Sequence, residues 1–276
     1  MDNKQLQKAK QFHELHQRDD LFILPNAWDV ISAKMFEECG FKAIGTTSAG
    51  IAVSKGYPDG EAIPLDEMIE AIQNIANAVQ VPVSADIESG YGETVDEVLH
   101  TVKKVVQAGA IGINLEDGTG DTNEPLFDLT LQVEKIKAIK QLREDTNMPL
   151  FINARTDTYW LNIKDPAQRL QETIKRAQAF EQAGADCIFV PGLEDIDIIQ
   201  RLRQEITCPI NLLVSPNLPS TQKLSNIGIE RISCGSAPFR STVTLIKQMS
   251  EEMLQKGSFK RSTDGVLSYK EVTKLV

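Results

Sequence analysis

The sequence is poor in the residues that make soft-metal sites and cross-links. It has four cysteines and three histidines in 276 residues. Cys39, Cys187, Cys208 and Cys234 stand far apart, with no Cys-x-x-Cys and no Cys/His cluster, which excludes a zinc site and a disulfide framework and suits reduced thiols. His13 and His16 are spaced to face one ligand, but no third ligand is near them in the polar amino-terminal segment, so both are expected on a solvated helix face. No apolar run approaches the roughly 18 residues that a membrane-crossing helix needs. The polar start has no signal-peptide core either, so a cytoplasmic protein with no membrane partner is expected. A basic stripe is missing too. With 29 Lys and Arg against 39 Asp and Glu, the formal charge is −10, which argues against nucleic acid as the main partner. No Gly-x-Gly-x-x-Gly follows the first apolar run, which disfavours a dinucleotide fold.

What is present is a beat of short apolar runs alternating with amphipathic ones. Strands are expected at 21–24, 41–46, 82–85, 111–115, 150–153, 187–190, 210–214 and 231–234. Helices are expected at 29–39, 65–79, 95–108, 129–143, 167–183, 196–205, 221–226 and 239–254. Thr94 and Glu97 have capping-box spacing, and Asp165-Pro166 suits a helix start. Gly40, Gly109, Gly184 and Gly228 each stop a helix just before a strand. Eight β/α units in series imply parallel strands with right-handed crossovers, closed as a (β/α)8 TIM barrel of the α/β class. The chain reads as one domain over 1–276, with 256–276 as a partly polar extension.

In such barrels the chemistry lies at the carboxyl ends of the strands. Those ends here carry Ser48-Ala49-Gly50, Asp86 and Glu88, Glu116, Arg155 and, on the seventh strand, Asn211. Asp86 and Glu88 are two apart and share a strand face, with Glu116 one strand over. Three carboxylates at one mouth repel unless a hard cation with oxygen ligands relieves them, which points to Mg²⁺ or Mn²⁺. The small-residue turn at 48–50 can bind a carboxylate through backbone amides. Arg155 can grip an oxyanion with its planar fork, or instead pair with the acids. No lysine stands at a strand end, as a Schiff-base aldolase would need.

As a set, these pieces resemble the isocitrate lyase/phosphoenolpyruvate mutase superfamily. The matching segments are Pro-Asn-Ala-Trp-Asp at 25–29, Thr-Ser-Ala-Gly at 47–50, Gly-Tyr-Pro-Asp at 56–59, Asp-Ile-Glu-Ser-Gly-Tyr-Gly at 86–92, Leu-Glu-Asp at 115–117, Asn-Ala-Arg-Thr-Asp at 153–157 and Ala-Gly-Ala-Asp at 183–186. The resemblance implies that Asp86 holds Mg²⁺ directly or through water, with Glu88 and Glu116 completing the metal's water shell. It implies that Ser48, Ala49 and Gly50 bind the carboxylate of a pyruvate-like unit, that Arg155 binds its oxyanion side, and that Asp59 sits over the reacting centre. Asn211 falls near a substrate-contacting position. It further implies a homotetramer in which the last barrel helix is exchanged between subunits.

The segment after the fourth strand departs from the family. Related lyases carry a Lys-[Lys/Arg]-Cys-Gly-His gate there, and the mutases a Lys-x-Asn-Ser gate. This chain has Asp-Gly-Thr-Gly-Asp-Thr-Asn-Glu-Pro-Leu-Phe-Asp at 117–128, with four acids and no Cys, Lys, His or Arg. Decarboxylation of a small 2-oxo acid such as oxaloacetate, through an enolate, asks least of a gate and is the expected reaction. A C–C lyase of the 2-methylisocitrate type and a P–C enzyme of the phosphonopyruvate type are the alternatives within the family. A non-catalytic metabolite-binding barrel is the alternative outside it.

Overall fold

The computed structural model describes residues 3–17 and 20–275. Nine parallel strands alternate with helices: β1 (Phe22–Leu24), β2 (Asn26–Ala27), β3 (Ile44–Thr46), β4 (Val83–Asp86), β5 (Gly112–Glu116), β6 (Phe151–Arg155), β7 (Cys187–Phe189), β8 (Ile210–Leu213) and β9 (Arg231–Ser233). Their order in the sheet is β1-β9-β8-β7-β6-β5-β4-β3-β2. The two ends of that order are one stretch of chain, because only Pro25 separates β1 from β2. Proline has no N–H to give a ladder, so the first barrel strand breaks there. Leu24 O accepts from Cys234 N at 3.1 Å and Pro25 O from Gly45 N at 2.8 Å, which hands the strand from β9 to β3 and closes the ring. This is the expected (β/α)8 barrel.

The helices are α1 (Asn3–Leu15), α2 (Val30–Glu38), α3 (Ser48–Ser54), α4 (Leu65–Ala78), α5 (Val95–Gln107), α6 (Leu129–Asp145), α7 (Pro166–Ala183), α8 (Ile196–Glu205), α9 (Thr221–Ile227) and α10 (Ala237–Lys256), then two short turns, α11 (Lys260–Thr263) and α12 (Tyr269–Thr273). The Thr94–Glu97 capping box forms, and Asp165 caps α7 ahead of Pro166. The four glycine stops all have positive φ, between 88° and 111°, a region that β-carbons disfavour. One helix was not expected. α3 occupies what reads in sequence as a loop, because Thr47 caps it by accepting from Gly50 N.

α1 plugs the end of the barrel from which the strands start. Phe12 packs edge-on to Phe151 at 5.0 Å, and Ala9, Leu15, Leu24, Ala43, Ile111 and Cys187 complete that cluster. The expectation of a solvated histidine face fails for His16, which is 4 % exposed. Its ring stacks on Phe151 at 4.1 Å and meets Phe12 and Phe22 edge-on at 4.8 Å. Nδ1–H donates to Phe12 O at 2.8 Å while Nε2 is buried with no partner, so the ring works chiefly as an aromatic. The carboxyl end of the chain does the opposite. α10 touches the barrel through Phe239 against Trp28, and none of its residues is buried.

Candidate active site

A pocket of about 110 Å³ opens at the carboxyl ends of the strands. Its lining includes the polar residues Ser48, Asp59, Asp86, Asn114, Arg155, Arg231, Ser233 and Ser236, with Ala49, Trp160, Phe189, Leu213 and Gly235. Of the residues singled out in the sequence, Ser48, Ala49, Asp59, Asp86 and Arg155 thus reach the same space. Gly50, Glu88, Glu116 and Asn211 lie outside that lining. Asn211 is fully buried inside the barrel, donating to Ser233 Oγ at 3.0 Å. Gly50 sits where a β-carbon would meet Thr47 Cγ2 at 2.7 Å and Trp28 Cβ at 3.0 Å. Its place in the motif therefore follows from close packing.

Asp86 ends β4 and its carboxylate is held on both oxygens. Ser48 N and Ser48 Oγ donate to Oδ2 at 3.0 and 2.7 Å, and Asn114 Nδ2 donates to Oδ1 at 2.9 Å. The small-residue turn therefore spends one of its amides on orienting this acid. Glu88, two residues on, is 4 % exposed. Its Oε2 accepts from Glu61 N at 2.7 Å, while Oε1 is buried with no partner in the protein. Burial, then the charges of Asp86 and Asp59, push its pKa up to about 8. Asp59 is raised for the same reasons, burial first and Asp86 second.

Among the described residues, no three His, Cys, Asp or Glu side chains gather closely enough to hold an ion by themselves. The donor set still suits a hard cation bound partly through water. It is all oxygen, its acids raise one another's proton affinity, and Glu88 Oε1 is an orphaned buried acceptor of the kind that requires a partner.

The loop carrying Glu88 is strained. Glu88 and Tyr91 have φ of 53° and 55°, and Glu61 has 57°, the left-handed region that non-glycine residues enter only when their surroundings enforce it. Glu61 supplies that enforcement by accepting from Ser89 Oγ at 2.7 Å and Tyr91 N at 2.8 Å while its own N–H holds Glu88. From the other side, the fully buried Lys135 donates to Ser89 O and Gly92 O and lies 3.9 Å from the Phe127 ring.

Arg155 ends β6 with all three nitrogens engaged. Nε and Nη2 donate to the two oxygens of Asp157 at 2.6 and 3.0 Å, and Nη1 meets Glu116 Oε2 at 2.7 Å. Burial alone would lower its pKa, but Glu116 and Asp157 keep the guanidinium charged. Glu116 in turn is pushed well above its usual range by burial, with Arg155 opposing. The ion-pair role weighed for Arg155 in the sequence is therefore realised, on a guanidinium that also lines the pocket.

The gate segment is pinned at its roots. Gly118 pairs with Leu126 in an antiparallel bridge, and Phe127 N donates to Asp117 O at 2.8 Å. Asp117 is fully buried, accepting from Asp157 N at 2.8 Å and pairing with Arg176 at 3.1 Å. The same Arg176 Nη1 donates to Phe127 O at 3.0 Å, so one arginine clamps both ends of the gate. Asp128 caps α6. An acidic gate therefore reduces to two exposed acids at its tip, Asp121 and Glu124. Sequence reading missed Glu61, Lys135, Asp157, Arg176 and Arg231. Only Asp157 carried a local signal, two residues from Arg155 on the same strand end.

Comparison with known proteins agrees with this geometry. The phosphoenolpyruvate phosphomutase family model matches residues 12–254. A Mycobacterium tuberculosis protein of uncharacterised function is 41 % identical over 228 residues, 83 % of each chain. Oxaloacetate decarboxylase 2 of Pseudomonas putida is 30 % identical, covering 90 % of this chain and 81 % of its own. A solved structure from Burkholderia cenocepacia, provisionally assigned as a lyase/mutase, superposes with a TM-score of 0.92 at 33 % identity, covering 99 % of this chain and 96 % of the other. The chain belongs to the phosphoenolpyruvate phosphomutase family and is an enzyme of that superfamily of lyases and mutases.

Proposed function

We propose that this member of the family is a C–C lyase acting on a small 2-oxo acid, and that its reaction is decarboxylation of oxaloacetate or a close analogue. The observation that carries the reading is the meeting in one pocket of Ser48, Ala49, Asp59, Asp86 and Arg155, in a chain whose gate at 117–128 has no thiol. The similarity to oxaloacetate decarboxylase 2 supports it. Loss of CO₂ needs a sink for the electron pair left on C3 and asks little of a gate.

Asp86, with Glu88 and Glu116 around its water shell, would hold Mg²⁺ or Mn²⁺. That cation, when bound, supplies Lewis-acid polarisation of the 2-oxo group. The remaining work falls to the chain. Ser48 and Ala49, which line the pocket at the start of α3, seat the first carboxylate. Arg155, fixed by Asp157 and Glu116, presents a preorganised charge to the oxyanion that develops as the enolate forms. Asp59, whose proton affinity burial and Asp86 raise, returns a proton to C3. Asn211 supports the wall from inside the barrel through Ser233. We also propose that the protein is a cytoplasmic homotetramer that exchanges α10. Its four cysteines are all free, and α10 buries none of its residues in its own barrel.

A second reading draws on Trp160, Phe189 and Leu213. An apolar wall suits an alkyl substituent, as in cleavage of a 2-methylisocitrate-type acid. One panel decides. Oxaloacetate, 2-methylisocitrate and phosphonopyruvate are each assayed for pyruvate release with Mg²⁺, and isocitrate for glyoxylate release. Oxaloacetate should give pyruvate, and excess EDTA should stop it. Arg155→Lys, which keeps the charge and loses the fork, should lower kcat/KM by roughly two to three orders of magnitude. Metal binding without product from any of the four would mark a binding-only barrel and sink the proposal.

A further inference from the structure

Arg231 is a cation without a counter-ion. It starts β9, is 3 % exposed, and yet lines the pocket. Its Nε donates to Ser233 Oγ at 3.2 Å and its guanidinium sits 5.9 Å from the Phe12 ring of the plug. Nη1 is buried with no hydrogen-bond partner, and among the described residues it forms no ion pair with any Asp or Glu. Burial draws its pKa down to about 10, which leaves it charged at neutral pH. A buried charge without a partner is costly, and such charges are kept where a ligand supplies the counter-charge. Arg155, which also lines the pocket, differs, being neutralised by Glu116 and Asp157.

A second feature faces the same space. Gly235 and Ser236 line the pocket where the 20-residue helix α10 begins; Asn26 Oδ1 accepts from Gly235 N at 2.8 Å, and the Ser236 side chain makes no cap bond. Uncapped amides at a helix start attract negative charge. Gly235 is required for the close approach, since a β-carbon there would meet Leu213 Cδ1 at 2.8 Å. The pocket lining therefore holds a second anion-attracting group, Arg231, Ser233 and Ser236, besides Ser48, Ala49, Asp86 and Arg155.

We infer that Arg231, together with the Ser236 amide, forms a subsite for the distal carboxylate of the substrate, so that the enzyme selects 2-oxo dicarboxylates over monocarboxylates. The inference rests on reading Ser48, Ala49, Asp86 and Arg155 as the 2-oxo-acid site. Its sign in catalysis is specific. In a decarboxylation the distal carboxylate is the group that leaves as neutral CO₂, so its attraction to Arg231 is strongest before the bond breaks. Arg231 then contributes to ground-state binding and not to the transition state.

The test uses ligands with and without that group, in the presence of Mg²⁺. Oxalate lacks the distal carboxylate, whereas 3,3-difluorooxaloacetate carries it. By calorimetry Arg231→Met should weaken the difluoro analogue roughly 10- to 100-fold, the scale of one hydrogen-bonded charge, and change oxalate by less than about twofold. In the wild-type enzyme the 4-methyl ester of the analogue should bind at least about tenfold more weakly than the free acid, a comparison that needs no variant to fold. In turnover of oxaloacetate, Arg231→Met should raise KM while kcat stays level or rises. Equal losses for both ligands, no loss for either, or a wild-type enzyme indifferent to the ester would overturn the subsite. If no 2-oxo acid turns over, the proposed reaction fails, while the two binding comparisons still decide this inference.

Discussion

His16 shows how a residue can be misjudged from its spacing and still make a sharp prediction. Burial first, and the charge of Arg231 second, hold its pKa well below the usual 6.5. The unfolded chain protonates this ring near 6.5, and the folded chain does not. Below that pH the unfolded state binds more protons, so stability is full above pH 6.5 and falls as pH drops toward the folded pKa, by at most about 1.4 kcal/mol per pH unit. His16→Phe keeps an aromatic between Phe12, Phe22 and Phe151 and removes the proton site. Urea unfolding of both proteins at pH 7.5 and 5.0 should show the wild type losing more stability on acidification than the variant. Parallel losses would mean that His16 does not carry the effect. Arg231 and Lys135 teach a related lesson. Each is a charged side chain inside the fold, and nothing in the flanking sequence distinguishes it from a solvated one.

At the scale of elements, the barrel was legible because each β/α unit carries its own punctuation. Thr94 with Glu97, Asp165 with Pro166 and the glycine stops are local signals, and the structure forms all of them. The site was legible where a functional residue ends a strand, as Asp86 and Arg155 do. It was illegible where geometry depends on partners distant in sequence. The left-handed Glu88 and Tyr91 exist because Glu61 and Lys135 hold their loop from two other units. The gate is the other case, because its acidity is read correctly and its electrostatics are not. Asp117 is neutralised by Arg176, 59 residues away. The gate still offers no proton donor for cleaving isocitrate. Cys39 is exposed on α2's end, burial pushes Cys187 up to about 12 and raises Cys208 and Cys234, and none of the four lines the pocket. Isocitrate should therefore yield little or no glyoxylate, with a rate far below that on oxaloacetate. Robust glyoxylate production that disappears on thiol alkylation would show that a cysteine does reach the substrate.

At the scale of the whole molecule, the barrel is closed at both ends in different ways. α1 seals the bottom with aromatic packing, while the top leaves α10 standing off. Val243, Leu245, Ile246 and Met253 are exposed along this helix, Leu254 is 87 % exposed, and Phe259, Val266, Leu267 and Tyr269 continue the apolar surface through α11 and α12. Apart from Phe239 against Trp28, this 20-residue helix buries none of its residues in its own barrel, and exposed apolar side chains in such number suit an interface. The proposed exchange of α10 supplies the missing cover, because each barrel would receive a neighbour's helix in return for its own. Light scattering on the full chain should then give about four chain masses. The double variant Ile246→Asp with Leu254→Asp places charge on the apolar stripe without touching the core, so it should shift the protein to smaller species while circular dichroism stays unchanged. Since Gly235 and Ser236 sit where α10 leaves the barrel and also line the pocket, loosening α10 should weaken substrate binding in the same variant. A wild-type protein that is monomeric at every concentration tested would remove the exchange and leave the apolar face of α10 to another partner.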